Sequence, residues 1–346
     1  MAMPSVENAA KSESADHQEL STRIGLILAA AFMLVPLLPG EYPVYVATEI
    51  LILGLFAMSF NLIYGYMGQI SFGHAAYFGL GAYATALLMQ YLQQETGSVG
   101  YVGFFISMLI AVPVSALGAL IIGYFIVRLT GIYFAMLSLA FGELLFYIVF
   151  SWYSFTKGDD GIQGLLPPVF FRDVYNFYYF TLVIVTCALL VMWRITRSPF
   201  GYTLRMLREN AQRAAFVGVN VRLTMLVNFV LAGAFAGLAG SLWGPFQRSV
   251  SPALLGWHES GLAIFMSLIG GAGYFIGPVV GSIVYTGLYA YVTRFTDYWP
   301  FTIGIIILSV VLFAPGGLLS LVDKARKQAH SRKIDGEKKR RGKNHE

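Results

Sequence analysis

The chain reads as long apolar runs separated by short polar breaks that are marked by glycine or proline. Ten runs stand out, at residues 24–38, 44–64, 75–92, 102–127, 132–150, 177–193, 224–243, 260–269, 278–292 and 301–319. Apolar residues follow one another within each run instead of alternating, which predicts helices and not the strands of a barrel. Roughly 20 apolar residues are needed for a helix to cross a hydrocarbon core of about 30 Å. Only helices and closed barrels satisfy their backbone groups there. The pattern therefore predicts an all-α integral membrane protein with about ten transmembrane helices. Two of the runs, 260–269 and 278–292, are short for that task.

Composition agrees. Of 346 residues, 57% are hydrophobic and 12% charged, about half the charge of a soluble domain. Cys187 is the single cysteine and lies inside an apolar run, so the chain has no disulfide framework and no thiolate metal site of its own. The position of the charges then orients the helices. If 1–23 is cytoplasmic, strict alternation puts 19 Lys and Arg inside and leaves Lys157, Arg172, Arg248 and Arg294 outside. That is the positive-inside asymmetry. The pI near 9.1 would by itself suggest nucleic acid. Ten of the basic residues, however, lie in the polar tail 321–346, which reads as a cytosolic anchor with no nucleic-acid role. The expected organisation is a polar N-terminal tail at 1–23, a transmembrane region at 24–320 and a basic cytoplasmic tail at 321–346. An external loop spans 151–176. The first run lacks a lysine-rich start and a following small-residue cleavage site, so it reads as an uncleaved anchor helix.

Two segments break the apolar pattern in a similar way, GYMGQISFGHAAYFGLGAY at 65–83 and GGAGYFIGPVVG at 270–281. Glycines three or four apart permit close helix packing in lipid. Non-helical backbone at membrane depth also marks translocation pathways in transporters. Both readings stand for Gly270 and Gly271. In the first segment Gln69, Ser71 and His74 add polar side chains; His74 reads first as a hydrogen-bonded packing residue and second as a proton carrier or ligand. Two carboxylates fall within runs, Glu49 and Glu143. An ionisable group there costs about 2.5–3.5 kcal/mol on insertion scales, so each should face a cavity or a partner. Glu143 is the deeper of the two and the better pathway candidate, against an interhelical hydrogen bond.

The loop 194–222 is too patterned to be a connector. Leu204, Leu207, Ala211, Ala214, Ala215 and Gly218 recur at helical spacing, with Arg205, Arg208, Glu209, Gln212 and Arg213 opposite. This predicts an amphipathic helix at the cytoplasmic surface. A helix resting on lipid would carry bulky apolar residues; alanine and glycine suit docking into a groove of a protein partner.

At these residues the chain resembles the permease subunits of branched-chain amino-acid ABC importers, specifically the LivM type. The matching stretches include NLIYGYMGQISFGHAAYFGLGAYATALL, TGIYFAMLSLAFGE, KGDDGIQGL, SPFGYTLRMLRENAQRAAFVGVNV, FAGLAGSLWG, GGAGYFIGP and LFAPGGLLSL. They cover about 44–321 in matching order. One departure is Lys157, where the family usually has glycine or another small residue. The resemblance implies a half-channel in a bacterial inner membrane, paired with a second related permease, two cytosolic ABC ATPases and a periplasmic substrate-binding protein. It further implies that RENAQRAAFVGVNV is a coupling helix, with Arg208, Glu209, Asn210, Ala214, Ala215 and Gly218 making the ATPase contact. The chain itself has no G-x-x-x-x-G-K-[ST]; its one Gly-Lys pair, Gly342–Lys343, is followed by Asn344. No cofactor or metal is expected, and no H-E-x-x-H or nucleophile motif suggests an enzyme. A urea permease of the same architecture is the nearest alternative, and an ion-coupled secondary transporter a more distant one.

Overall fold

A computed structural model describes residues 24–314, 316–324 and 326. The predicted tail at 1–23 and most of the basic tail lie outside these residues. In chain order the helices are α1 (Ile24–Leu37), α2 (Glu41–Asn61), α3 (Ala75–Thr96), α4 (Tyr101–Ile126), α5 (Ile132–Ser151) and the single-turn α6 (Tyr153–Thr156). They continue as α7 (Val174–Thr196), α8 (Pro199–Phe216), α9 (Val221–Gln247), α10 (Trp257–Gly270), α11 (Gly277–Val292) and α12 (Trp299–Phe313). Each of the ten apolar runs falls on a helix. Six helical stretches among the described residues are long and apolar enough to cross a membrane: α2 with its extension to Tyr66, α4, α5, α7, α9 and the run Trp299–Lys324. α3 spans 22 residues but Gln90, Gln93 and Gln94 lower its apolar character. α10, with 14 residues, reaches roughly 21 Å at 1.5 Å per residue and falls short of a full crossing.

The helices sort by burial. In α2, 83% of the spanning window is enclosed by protein, against 24% in the run that α12 begins. α2 is apolar on all sides because it has no lipid face, as expected of a central helix. α7, α9, α10 and α11 pack beside it, and α3, α4 and α9 pack against one another through small residues. A Cβ on Gly240 of α9 would collide with the Phe78 carbonyl of α3, and one on Gly81 of α3 with the Gly237 carbonyl of α9. Small-residue contacts of this kind let membrane helices approach backbone to backbone. α1, α4, α5, α7 and α12 form the periphery and show large apolar side chains outward, such as Leu109 and Leu190.

Two short strands join distant loops. β1 (Ile162–Gln163), in the loop after α6, pairs antiparallel with β2 (Ser249–Val250), which follows α9. These loops therefore share one face, called the ribbon face below, as alternation of the helices requires. Opposite it lies the face carrying α8. Lys157 adopts φ +65°, a left-handed conformation that disfavours side chains with a Cβ.

Candidate functional site

The central feature is a break in α2. After Asn61 the helix loosens into a π turn, Leu62–Tyr66, and the chain then runs without regular structure to α3. A π turn frees carbonyls that must find donors inside a membrane. Each has one here. The Asn228 side-chain amide of α9 donates to the Leu62 carbonyl at 2.8 Å. The Gln69 backbone N–H donates to Ile63 at 3.2 Å and that of Gly68 to Tyr64 at 3.1 Å. The Gly65 carbonyl accepts from the Arg208 guanidinium of α8 at 2.5 Å. Gly68 makes the exit possible: its φ of +75° is left-handed, and the Arg208 stem lies where a Cβ would stand.

Beyond the break, the start of α3 is held from two sides. Ser138 of α5 accepts from the Phe72 N–H at 3.1 Å, and Ser260 of α10 accepts from the Ala75 N–H at 2.9 Å. Gly73 and Gly142 touch backbone to backbone. His74 is fully buried among the rings of Phe56, Phe60 and Tyr77. Its Nε2 lies 2.8 Å from the Ser59 hydroxyl. That hydroxyl spends its one hydrogen on the Phe56 carbonyl at 2.7 Å, so Nε2 donates and Nδ1 is left as an acceptor. The packing reading of His74 describes this environment.

One residue past Gly142, the Glu143 carboxylate accepts from the Trp257 N–H at 3.2 Å. Trp257 opens α10, and the first N–H groups of a helix have no partner within it. The carboxylate therefore caps the positive end of a short helix, where a negative charge is favourable. Ser71, His74 and Glu143 thus gather around the start of α3, whereas the Gln69 side chain reaches the Gly131 N–H at 2.8 Å.

Gly270 and Gly271 occupy a second place. A Cβ on Gly270 would meet the Gly277 carbonyl, and one on Gly281 the Met266 carbonyl, so α10 and α11 abut through their backbones. Gly271 has φ +104°, which makes the reversal between them. The two glycine-broken segments meet at one point: Gly65 faces the Ala272 carbonyl and the Asn61 side chain.

α8 departs from the uniform amphipathic helix read from its sequence. Asn210 sits inside it at φ −161° and ψ 102°, so the helix is two pieces. The Asn210 side chain accepts from the Arg213 N–H at 2.9 Å and caps the second piece. Leu204, Leu207 and Ala214 are buried in the protein, while Arg208, Glu209, Ala215 and Gly218 are exposed and Asn210 is half-buried. The most prominent group was absent from the sequence-derived set: Phe216 is 91% exposed and Val217 70%. Also missed were Ser59, Asn61, Asn228, Ser260 and Trp257. Asn61 and Asn228 carried a signal, as amides inside apolar runs. Both Asn61 side-chain atoms, Asn228 Oδ1, Ser71 Oγ and His74 Nδ1 are buried with no protein partner. No cluster of metal-ligating side chains occurs among the described residues.

The family described as "Branched-chain amino acid transport system / permease component" matches residues 42–314. The chain belongs to this family. Among its relatives, the high-affinity branched-chain amino acid transport system permease protein LivM of Escherichia coli is 26% identical, covering 86% of this chain and 73% of LivM. The corresponding LivH of Escherichia coli is 25% identical over 77% of this chain and 90% of LivH. The autoinducer 2 import system permease protein LsrC of Salmonella paratyphi B is 27% identical over about half of each chain, 50% and 51%. No solved structure matches. The chain is a multi-pass ABC permease subunit, and the LivM-type resemblance read from its motifs holds.

Proposed function

We propose that this chain forms half of the channel of an ATP-driven importer for branched-chain amino acids in a bacterial inner membrane. A second related permease completes the channel, two cytosolic ATPases drive it, and a periplasmic protein delivers the solute. The observation that carries the reading is the tether between α8 and the α2 break, the Arg208–Gly65 contact beneath an exposed apolar tip. The 19-to-4 distribution of basic residues supports a cytoplasmic α8 face with both termini on that side.

In this mechanism the ATPases grip Ala215, Phe216, Val217 and Gly218, with Glu209 at the edge of the contact. Their closure on ATP moves the tip, and Arg208 passes the motion to the π turn of α2. ATP shifts the equilibrium between inward- and outward-open states only through its different affinity for the two. The unpartnered polar atoms of Asn61, Ser71, His74 and Asn228 are those that water or solute would meet along an opened path. The chain contributes positions and not catalysis; hydrolysis belongs to the ATPase partners.

LivM and LivH carry the substrate class in their names, and this supports branched-chain amino acids here. LsrC is named for a different solute, so the scaffold alone does not fix the cargo. Reconstituted complex supplied with leucine, urea and glutamate in turn tests the class: uptake of leucine alone supports the reading, and uptake of urea instead replaces it. Charged substitution at Ala215 together with Phe216 should leave the chain folded and halt uptake, whereas unchanged transport refutes the coupling assignment.

A further inference from the structure

A pocket of about 240 Å³ opens on the ribbon face, where α2 and α7 begin and α9 ends. That is slightly below the roughly 300 Å³ at which pockets for drug-sized ligands begin, and it suits a solute of amino-acid size. Its floor is aromatic. Phe246 stacks on Tyr45 at 4.6 Å and on Phe177 at 6.1 Å between ring centroids, which joins rings from α9, α2 and α7. The Tyr45 hydroxyl donates to the Gln247 side chain at 2.9 Å, so this wall is fixed before any ligand arrives.

The rim is charged. Arg172, Asp173 and Arg248 line the pocket and are exposed at its mouth. Arg172 donates through Nε to the Pro167 carbonyl at 3.0 Å, which leaves both terminal nitrogens of its guanidinium. Arg248 reaches from the end of α9 to the Arg172 carbonyl at 3.4 Å. It also holds φ +56°, a left-handed conformation that disfavours a side chain, so the arginine stands there at a cost. Asp173 accepts from the Asn176 N–H through Oδ2 at 3.1 Å and keeps Oδ1 for another donor. Among the described residues, no ion pair joins either arginine to Asp173. Single surface charges are ordinarily just solvated. Charges of both signs, unpaired over an aromatic floor, describe instead a ligand with an anionic group, a cationic group and an apolar body.

We propose that this pocket is an entry site for the free zwitterion of an apolar amino acid. Its carboxylate lies on Arg172 and Arg248, its ammonium on Asp173, and its side chain against Phe177 and Phe246. The choice of an amino acid as the occupant rests on the function proposed above; the complementarity of charge does not. The site stands at the end of α2 opposite the break.

The test is photolabelling of the permease–ATPase complex in nanodiscs, without the periplasmic protein, by leucine that carries a diazirine in its side chain. Label should fall within 45–48, 167–177 or 245–248, and excess leucine should prevent it. Arg172→Gln and Arg248→Gln should each weaken competition by leucine about tenfold. Both should leave competition by isopentylamine, which has no carboxylate, unchanged. Asp173→Asn keeps the helix cap; it should weaken leucine likewise and leave isocaproate, which has no ammonium, unchanged. Label only at other peptides, or leucine competition unchanged in both arginine variants, overturns the proposal. An equal loss for leucine and for its truncated analogues does the same, since it would show a merely structural role. So does loss of periplasmic-protein binding with leucine competition intact, which would assign the arginines to that protein's carboxylates. Labelling needs no transport. Failed leucine uptake with the label in place therefore counts against the proposed function, and leucine uptake without the label against this inference.

Discussion

The two pieces of α8 are continuous in sequence and opposite in circumstance. Before Asn210, Leu204 and Leu207 are buried and Arg208 is bonded to the α2 break. After it, Ala214 is buried and Ala211 half-buried, while Ala215, Phe216 and Val217 stand in the open. An apolar tip left exposed costs free energy unless something covers it, and a cluster of this kind marks an interaction site. The comparison teaches that the helix is jointed: one arm belongs to the permease core, and the other presents an exposed apolar tip, which the function proposed above assigns to a partner.

That contrast can be broken at either arm. The largest effect is expected at the tip. Phe216→Asp removes an apolar anchor and should weaken ATPase association by about 2 kcal/mol or more, roughly thirtyfold. Thermal melting of the isolated permease should be unchanged, and co-purification of the ATPases reads the loss. On the buried arm the order reverses. Leu207→Ala should lower the stability of the permease itself by about 2 kcal/mol, measured as a lower melting temperature in detergent, with less effect on ATPase association. Gly240→Ala, outside α8, forces α3 and α9 apart and should cost about 1–3 kcal/mol by the same assay. The smallest change is a gain: Lys157→Gly relieves a left-handed residue and should raise stability by about 1 kcal/mol.

Much of this architecture was legible. Apolar runs with glycine or proline at their edges located ten helices, because lipid leaves the backbone few alternatives. The two glycine-broken segments were visible as well, but their meeting at Gly65 and Ala272 was not, since 207 residues of chain separate these positions. The π turn was hidden because 62–66 is as apolar as the helix before it. Asn210 was hidden for another reason: RENAQR is compatible with an unbroken helix, and only tertiary packing exposes the cap within it. Once that cap is missed, helical spacing assigns Ala214 and Ala215 to one face and overlooks Phe216. Glu143 was singled out by its charge, yet its partner is a backbone N–H, which carries no side-chain signature.

The central claim is that motion at the tip reaches α2 through Arg208. Its most direct measurement is the number of leucine molecules imported per ATP hydrolysed, in proteoliposomes containing the full complex with Arg208→Ala. Removing the guanidinium leaves the Gly65 carbonyl without its donor, a loss of about 1–3 kcal/mol. The account predicts that ATP hydrolysis persists while import per ATP falls by about tenfold. An unchanged ratio, with hydrolysis and uptake moving together, would contradict it.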